Sequence, residues 1–307
     1  MQKVLRTLRN IPSYIRKLPS KTRLAYQCIR APYFKWVPPG HYYSPLPDMK
    51  EVGRRAPTIY APPSPSLAGI DLRSEDQGKL LLKFVPYASE LPFERSFNPN
   101  SRFFRPNGSF PFQDAFMVYA MLRHLRPTHV IEVGSGASSC VMLDTCEALN
   151  LSSRLTFIEP YPEHLLRLVH PEDRSRFELK QAFLQDIPLE LFTKLEANDI
   201  LFIDTSHVSK VGGEVNHVFF EILPMLKPGV VVHFHDIWYP FEYPNDWLWK
   251  GMFWNEAYLL RAFLMYNTSF EIFLFNSYLN KCMTERVKQN FPMFLEEPGA
   301  SLWLRRK

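Results

Sequence analysis

The stretch Thr128-His129-Val130-Ile131-Glu132-Val133-Gly134-Ser135-Gly136-Ala137-Ser138-Ser139 constrains this chain more than any other. Val130, Ile131 and Val133 suit a strand buried on both faces, as in a parallel sheet. Gly134 and Gly136 carry no Cβ, so they permit a sharp turn and a close backbone approach to a ligand. Ser138 or Ser139 can cap a following helix, whose free N–H groups and positive dipole end face the same spot. A strand, a glycine turn and a helix start, in that order, form a nucleotide-type binding turn. Its meaning depends on what the rest of the chain brings to it.

The rest of the chain repeats the strand–helix pattern. Apolar spacing predicts a helix over 113–125, ending before Pro127, then strand one at 129–133 and its helix from about 138 to 149. Strand two is expected at 155–159, followed by a helix opened by Pro162, strand three at 177–180 and strand four at 199–204. A helix over 213–226 leads through Pro228-Gly229 into strand five at 230–235. A helix at 255–266, a strand at 270–275 and a short strand at 301–304 complete the pattern. This alternation predicts an α/β fold, a doubly wound and mostly parallel seven-stranded sheet with helices on both faces. Ligands in such sheets bind at the carboxyl ends of the strands, where Glu132 to Gly136, Glu159, Asp204, His235 and Asp236 fall.

Charge separates the ends of the chain. Nine Lys or Arg and no acid precede Pro47: Lys3, Arg6, Arg9, Arg16, Lys17, Lys21, Arg23, Arg30 and Lys35. The remaining 27 basic and 31 acidic residues leave the body slightly negative, unlike a nucleic-acid-binding face. Residues 1–47 read as a basic arm able to make weak membrane-surface contact, 48–111 as a Pro- and aromatic-rich extension packed on the core with short helices near 75–84, and 112–307 as the sheet domain. Cys28, Cys140, Cys146 and Cys282 form no C-x-x-C pair, and with no apolar run of membrane-spanning length or secretory signal the expected location is cytoplasmic. The sequence is compatible with an oligomer.

Glu159 ends strand two, 23 residues after Gly136, where a carboxylate can accept both hydrogen bonds of a ribose diol. A dinucleotide turn would carry a third glycine where Ser139 stands, and no Lys-Ser/Thr pair is present to hold phosphates. A cofactor without phosphate fits both facts. Glu132-Val133-Gly134-Ser135-Gly136, Glu159, the 199–204 strand and Leu226-Lys227-Pro228-Gly229 resemble successive motifs of class I S-adenosylmethionine-dependent methyltransferases. The nearest branch includes macrocin-type sugar O-methyltransferases and cephalosporin-hydroxylase-like proteins, and the resemblance covers roughly residues 112–305. It implies a Rossmann-like methyltransferase fold with S-adenosylmethionine held by Glu132, Gly134, Ser135, Gly136, Ser139 and Glu159, and with Asp186 beside the adenine.

Strand four delivers Asp204-Thr205-Ser206-His207 and strand five delivers His233-Phe234-His235-Asp236 to one crevice. His233 lies inside its strand and reads as a core residue. An imidazole is poorly matched to an alcohol many units more basic, and a bound cation closes that gap. In the metal-dependent members of the branch, an Asp after strand four and an acidic pair after strand five hold the cation, and a His three residues past the first Asp is the base. Those roles fall on Asp204, on His235 with Asp236, and on His207, making His207 and Asp204 the catalytic pair. A histidine in place of a carboxylate at 235 favours Mn, Fe, Co, Ni or Zn over Mg.

Trp238, Tyr239, Phe241, Tyr243, Trp247, Trp249, Phe253 and Trp254 crowd the segment after Asp236, suiting either packing or a lid over a ring-shaped acceptor. The expected activity is O-methylation of a small hydroxylated acceptor, such as a sugar or glycoconjugate. The rivals are a non-haem-iron oxidoreductase built on the His/Asp cluster, a dinucleotide dehydrogenase, and a catalytically silent cofactor-binding protein.

Overall fold

The structure, a computed structural model, describes Thr22 and residues 36–93, 101–104 and 109–307. All nine basic residues of the arm, and Cys28, lie outside the described residues. The chain divides into two compact units between Ala61 and Pro62, so residues 62–111 group with the sheet domain. The first unit contains a helix, Met49–Ile59, whose start is capped by the Asp48 carboxylate on the Lys50 N–H. No described helix is long and apolar enough to cross a membrane.

In the second unit seven strands form one sheet: β1 His129–Val133, β2 Arg154–Ile158, β3 Phe177–Lys180, β4 Ile200–Ile203, β5 Val231–Phe234, β6 Phe270–Phe275 and β7 Leu302–Arg306. Their order is β3-β2-β1-β4-β5-β7-β6. The first five are parallel, and β7 runs antiparallel to both β5 and β6. Alternation along each parallel strand feeds two cores. Val130, Ile200 and Phe202 face the helices Phe112–Leu125 and Ala137–Ala148, whereas Ile131, Val133, Leu201 and Ile203 face the helical segments at 214–225 and 256–264. Both faces are apolar, as a sheet covered on both sides requires.

Register places the functional edge. Val133 pairs with Ile158 and with Ile203, and Ile203 pairs with Phe234. The residues that follow, Gly134, Glu159, Asp204 and His235, therefore emerge side by side. The ladder extends one step to hold them: Gly134 N donates to Ile158 O at 3.0 Å, Asp204 N to Val133 O at 2.9 Å and His235 N to Ile203 O at 2.9 Å. Because β1 lies between β2 and β4, the chain crosses in opposite directions on its two sides and a crevice opens there.

Three helical segments differ from expectation. The helix after Pro162 is a single turn, Leu165–Leu168. The helix at 214–225 contains a π-helical segment, Val218–Ile222, just before Pro224, which has no N–H to return to the preceding turn. Helices Asn276–Cys282, Thr284–Asn290 and Met293–Glu296 fill the connection between β6 and β7, which periodicity left unassigned. Residues 62–111 contribute Leu81, Phe84, Phe103 and Phe110 to the core on the Phe112–Leu125 side. Arg102 anchors this stretch. Its buried guanidinium reaches Asp144 at 2.8 Å and Asp173 at 2.6 Å, and the Arg102 and Phe103 N–H groups also donate to Asp144.

Candidate functional site

Gly134 sits at φ +81, and a Cβ there would stand 1.7 Å from the Asp204 carbonyl oxygen. The first requirement for glycine is thus set by the neighbouring strand end rather than by a ligand. Gly136 is extended, and its missing Cβ leaves room for the His164 ring at 3.3 Å. Glu132 faces away from the crevice. It is fully buried, and the Ser138 hydroxyl at 2.6 Å and the Ser139 hydroxyl both donate to it. Ser139 in turn accepts from the Gly136 N–H at 3.1 Å. Glu132 and Ser139 therefore lock the turn onto the helix start from behind, and neither lines the cavities on the crevice side. Burial pushes the Glu132 carboxyl up to about 8, against the pull of these hydroxyls.

Two adjoining cavities open on the crevice side of the turn. The larger, 350 Å³, is lined by Gly134, Glu159, Phe183, Gln185, Asp204 and Thr205 among others. The smaller, 220 Å³, is lined by Phe110, Ser135, Gly136, Glu159, His164 and Asp204 among others. Glu159 borders both, with Oε2 accepting from the Ser135 N–H at 3.3 Å and Oε1 from the Tyr161 N–H at 2.8 Å. The hydroxyls of Ser135 and Thr205 are buried there without a hydrogen-bond partner. Asp186 is exposed and lines neither cavity; its neighbours Phe183 and Gln185 take that wall, because the one-turn helix at 184–186 rotates Asp186 outward. A cradle with a forked carboxylate, free hydroxyls and an apolar wall suits a nucleoside cofactor without phosphates.

Across the crevice, His207 and Asp236 both adopt left-handed backbone, φ 58 and φ 55. Such conformations are costly for non-glycine residues and concentrate at functional sites. His207 is buried, and its Nε2 faces Asp204 Oδ1 at 3.4 Å and Asp236 Oδ2 at 3.8 Å. Its Nδ1 lies 2.9 Å from Glu256 Oε2, and its ring packs on Trp254 at 4.4 Å. Burial alone would lower the pKa of this imidazole, but Asp204 and Glu256 outweigh it and push it up to about 10. Asp204 is held below its usual range despite burial, by His235 and His207, whereas burial raises Asp236.

His235 is buried against Phe110, with rings 4.9 Å apart and near parallel, and its Nε2 is 3.9 Å from Asp236 Oδ1. Burial lowers its pKa, and the charges of Asp204 and Asp236 raise it on balance. His233 is a core residue: it stacks on Phe202 at 3.7 Å, and burial holds it well below the usual range, hence neutral. As the side chains stand, no group of three His, Cys, Asp or Glu among the described residues is set to hold a metal ion. Asp204 and Asp236 point at His207 instead.

The aromatic segment splits in two. Tyr239, Phe241 and Tyr243 are core, while Trp238, Trp247 and Trp254 form a half-buried cluster running up to His207. Glu256 and Phe110 were not anticipated. Phe110 stands in an irregular segment with no periodic signal, and Glu256 is 49 residues from the histidine it touches.

Residues 131–237 match the family described as "Methyltransferase domain". A protein of Archaeoglobus fulgidus described as uncharacterized is 36% identical over 170 residues, which is 54% of this chain and 76% of that protein. Among solved structures, the O-methyltransferase TomG of Streptomyces achromogenes in complex with SAM is 13% identical at a TM-score of 0.43, covering 76% of this chain and 89% of that one. A SAH-bound methyltransferase of Podospora anserina is also 13% identical, at a TM-score of 0.42, covering 89% of this chain and 99% of that one.

Proposed function

Because this chain belongs to the class I S-adenosylmethionine-dependent methyltransferases, we propose that it methylates a hydroxyl of a small molecule, with a sugar or glycoconjugate as the acceptor class. The observation that carries this reading is His207 Nε2 set between Asp204 and Asp236, with Asp204 also lining both cavities that Glu159 borders. When bound, S-adenosylmethionine supplies an electrophilic methyl on a sulfonium. Glu159 would hold its ribose, Phe183 and Gln185 would flank its base, and Ser135 and Gly136 would line its amino-acid portion. The Trp238, Trp247 and Trp254 cluster would give a sugar ring an apolar face to stack on and would limit water access.

In-line displacement requires an acceptor oxygen held close to the methyl and relieved of its proton. His207 keeps its own proton at neutral pH while Asp204 and Glu256 face it. Relieved of Asp204, the ring loses one of the two carboxylates that raise it, so Nε2 releases its proton more readily and can then accept the acceptor's. A divalent cation held by Asp204, His235 and Asp236 would acidify the hydroxyl, and two carboxylates with one imidazole suit Mn, Fe, Co, Ni or Zn better than Mg. The reaction sits at an internal crevice between strand ends, so a cytoplasmic setting and a monomeric or oligomeric chain serve it equally.

The test is calorimetry with S-adenosylmethionine and with NAD, then a screen of hydroxylated acceptors with radiolabelled methyl donor. Binding of the sulfonium, methylation of an alcohol and its loss in His207→Gln are expected. Binding of NAD alone would overturn the reading. Chelation followed by Mn²⁺ or Mg²⁺ tests the cation: equal rescue by both refutes the ligand set, and no effect of EDTA leaves His207 acting without metal.

A further inference from the structure

Glu256 opens the helix Glu256–Leu264 and is 1% exposed. Its Oε2 lies 2.9 Å from His207 Nδ1, while its Oε1 is buried with no partner. The same helix start grips the histidine backbone, since the N–H groups of Asn255 and Glu256 donate to the His207 carbonyl at 3.0 and 3.1 Å. Trp254 packs on the ring from one side. Ring, backbone and left-handed φ are thus all set by one short stretch, 254–256.

Burying a carboxylate is expensive unless it is paired, and an unpaired second oxygen adds to that cost. Packing alone would be served as well by a neutral side chain. What a carboxylate adds is a decision about the ring: it accepts and does not donate, so the nitrogen facing it must carry hydrogen. We infer that Glu256 is a positioning residue that fixes the ring hydrogen of His207 on Nδ1 and leaves Nε2 as the atom turned toward the acceptor. The inference rests on the reading of His207 as the base. The charged groups around the ring divide accordingly, with Asp204 and Asp236 on the Nε2 side, His235 beyond Asp236, and Glu256 alone on the Nδ1 side. Nδ1 keeps its hydrogen whether or not Nε2 carries one, so a proton exchanged with the acceptor passes through Nε2. No bond to Glu256 forms or breaks.

The test is nitrogen-15 NMR of the full chain labelled at histidine, at one fixed pH. His207 is expected to show a protonated Nδ1 with a strongly downfield ring hydrogen, assigned by its loss in His207→Gln. In Glu256→Gln that signal should move upfield or vanish, with S-adenosylmethionine affinity unchanged within about twofold. An unprotonated Nδ1 in the unmodified protein, or a signal indifferent to Glu256→Gln, would overturn the inference. The first of these needs no variant, so it stands even if Glu256→Gln misfolds. If the ring signature is as expected but His207→Gln methylates its acceptor normally, the base reading fails and the positioning of the ring does not.

Discussion

Replacing Gly134 by alanine separates two demands that one glycine can meet. The new Cβ would lie 1.7 Å from the Asp204 carbonyl oxygen, far inside contact distance, at a φ of +81. Left-handed backbone costs alanine about 1–2 kcal/mol. The carbonyl cannot yield freely, because Asp204 N is bonded to Val133 O and His235 N to Ile203 O, each at 2.9 Å. Opening the strand ends forfeits two such bonds at about 1 kcal/mol apiece, for a total near 3–4 kcal/mol. Gly136→Ala is the control, because its backbone is extended and the atom it meets at 3.3 Å belongs to the exposed His164 ring. That change should cost less than about 1 kcal/mol. Urea unfolding followed by tryptophan fluorescence measures both, and calorimetry with S-adenosylmethionine should show binding lost in Gly134→Ala through displacement of Asp204. If Gly134→Ala unfolds no more easily than Gly136→Ala, the contact with strand four is not what requires the glycine.

Glu132 holds a proton in the folded state up to about 8 that the unfolded chain releases near the ordinary 4.5, so the stability it contributes below 4.5 drains away as pH climbs through about 8. Glu132→Gln should flatten that loss in thermal melts from pH 5 to 9; a parallel decline in both proteins would refute the assignment. Arg102→Ala leaves Asp144 buried without its cation and Asp173 with Arg176 alone at 3.3 Å, and should cost about 3–5 kcal/mol in urea unfolding, against almost nothing for exposed Arg54→Ala. Glu159→Ala should weaken S-adenosylmethionine by roughly 10- to 100-fold in calorimetry, the worth of charged hydrogen bonds to a diol, and lower stability by no more than about 1–2 kcal/mol through the two backbone N–H groups it accepts from.

The strands were readable because short apolar runs between turn residues have few other uses: β1, β3 and β6 coincide with the stretches inferred from the sequence, and β2, β4, β5 and β7 differ only at their ends. Register then made the site readable too, since Glu159, Asp204 and His235 are simply the residues following paired strand positions. What was hidden depended on contacts between distant segments. Nothing local to Gly134 reveals the Asp204 carbonyl, and nothing local to Glu132 reveals that it turns toward Ser138 and Ser139 rather than the crevice. The exposure of Asp186 depends on the rotation of one short helical turn, 184–186. Glu256 looked like an ordinary acid in the first turn of a helix; only the return of that helix to the His207 loop gives it a partner.

The insertion of β7 between β5 and β6 has a consequence for timing. The parallel strands β1 to β5 can pair as soon as each emerges from the ribosome. β6 cannot, because among the described residues its only sheet neighbour is β7 and residues 276–301 separate them. At typical synthesis speeds of about 5–20 residues per second, Phe270, Ile272, Leu274 and Phe275 wait on the order of seconds for residues 302–306. During that interval an apolar strand with open hydrogen-bonding edges is available to the wrong partner. Production of this protein should therefore be more sensitive to translational pausing between 275 and 302 than to pausing anywhere in the parallel half of the sheet.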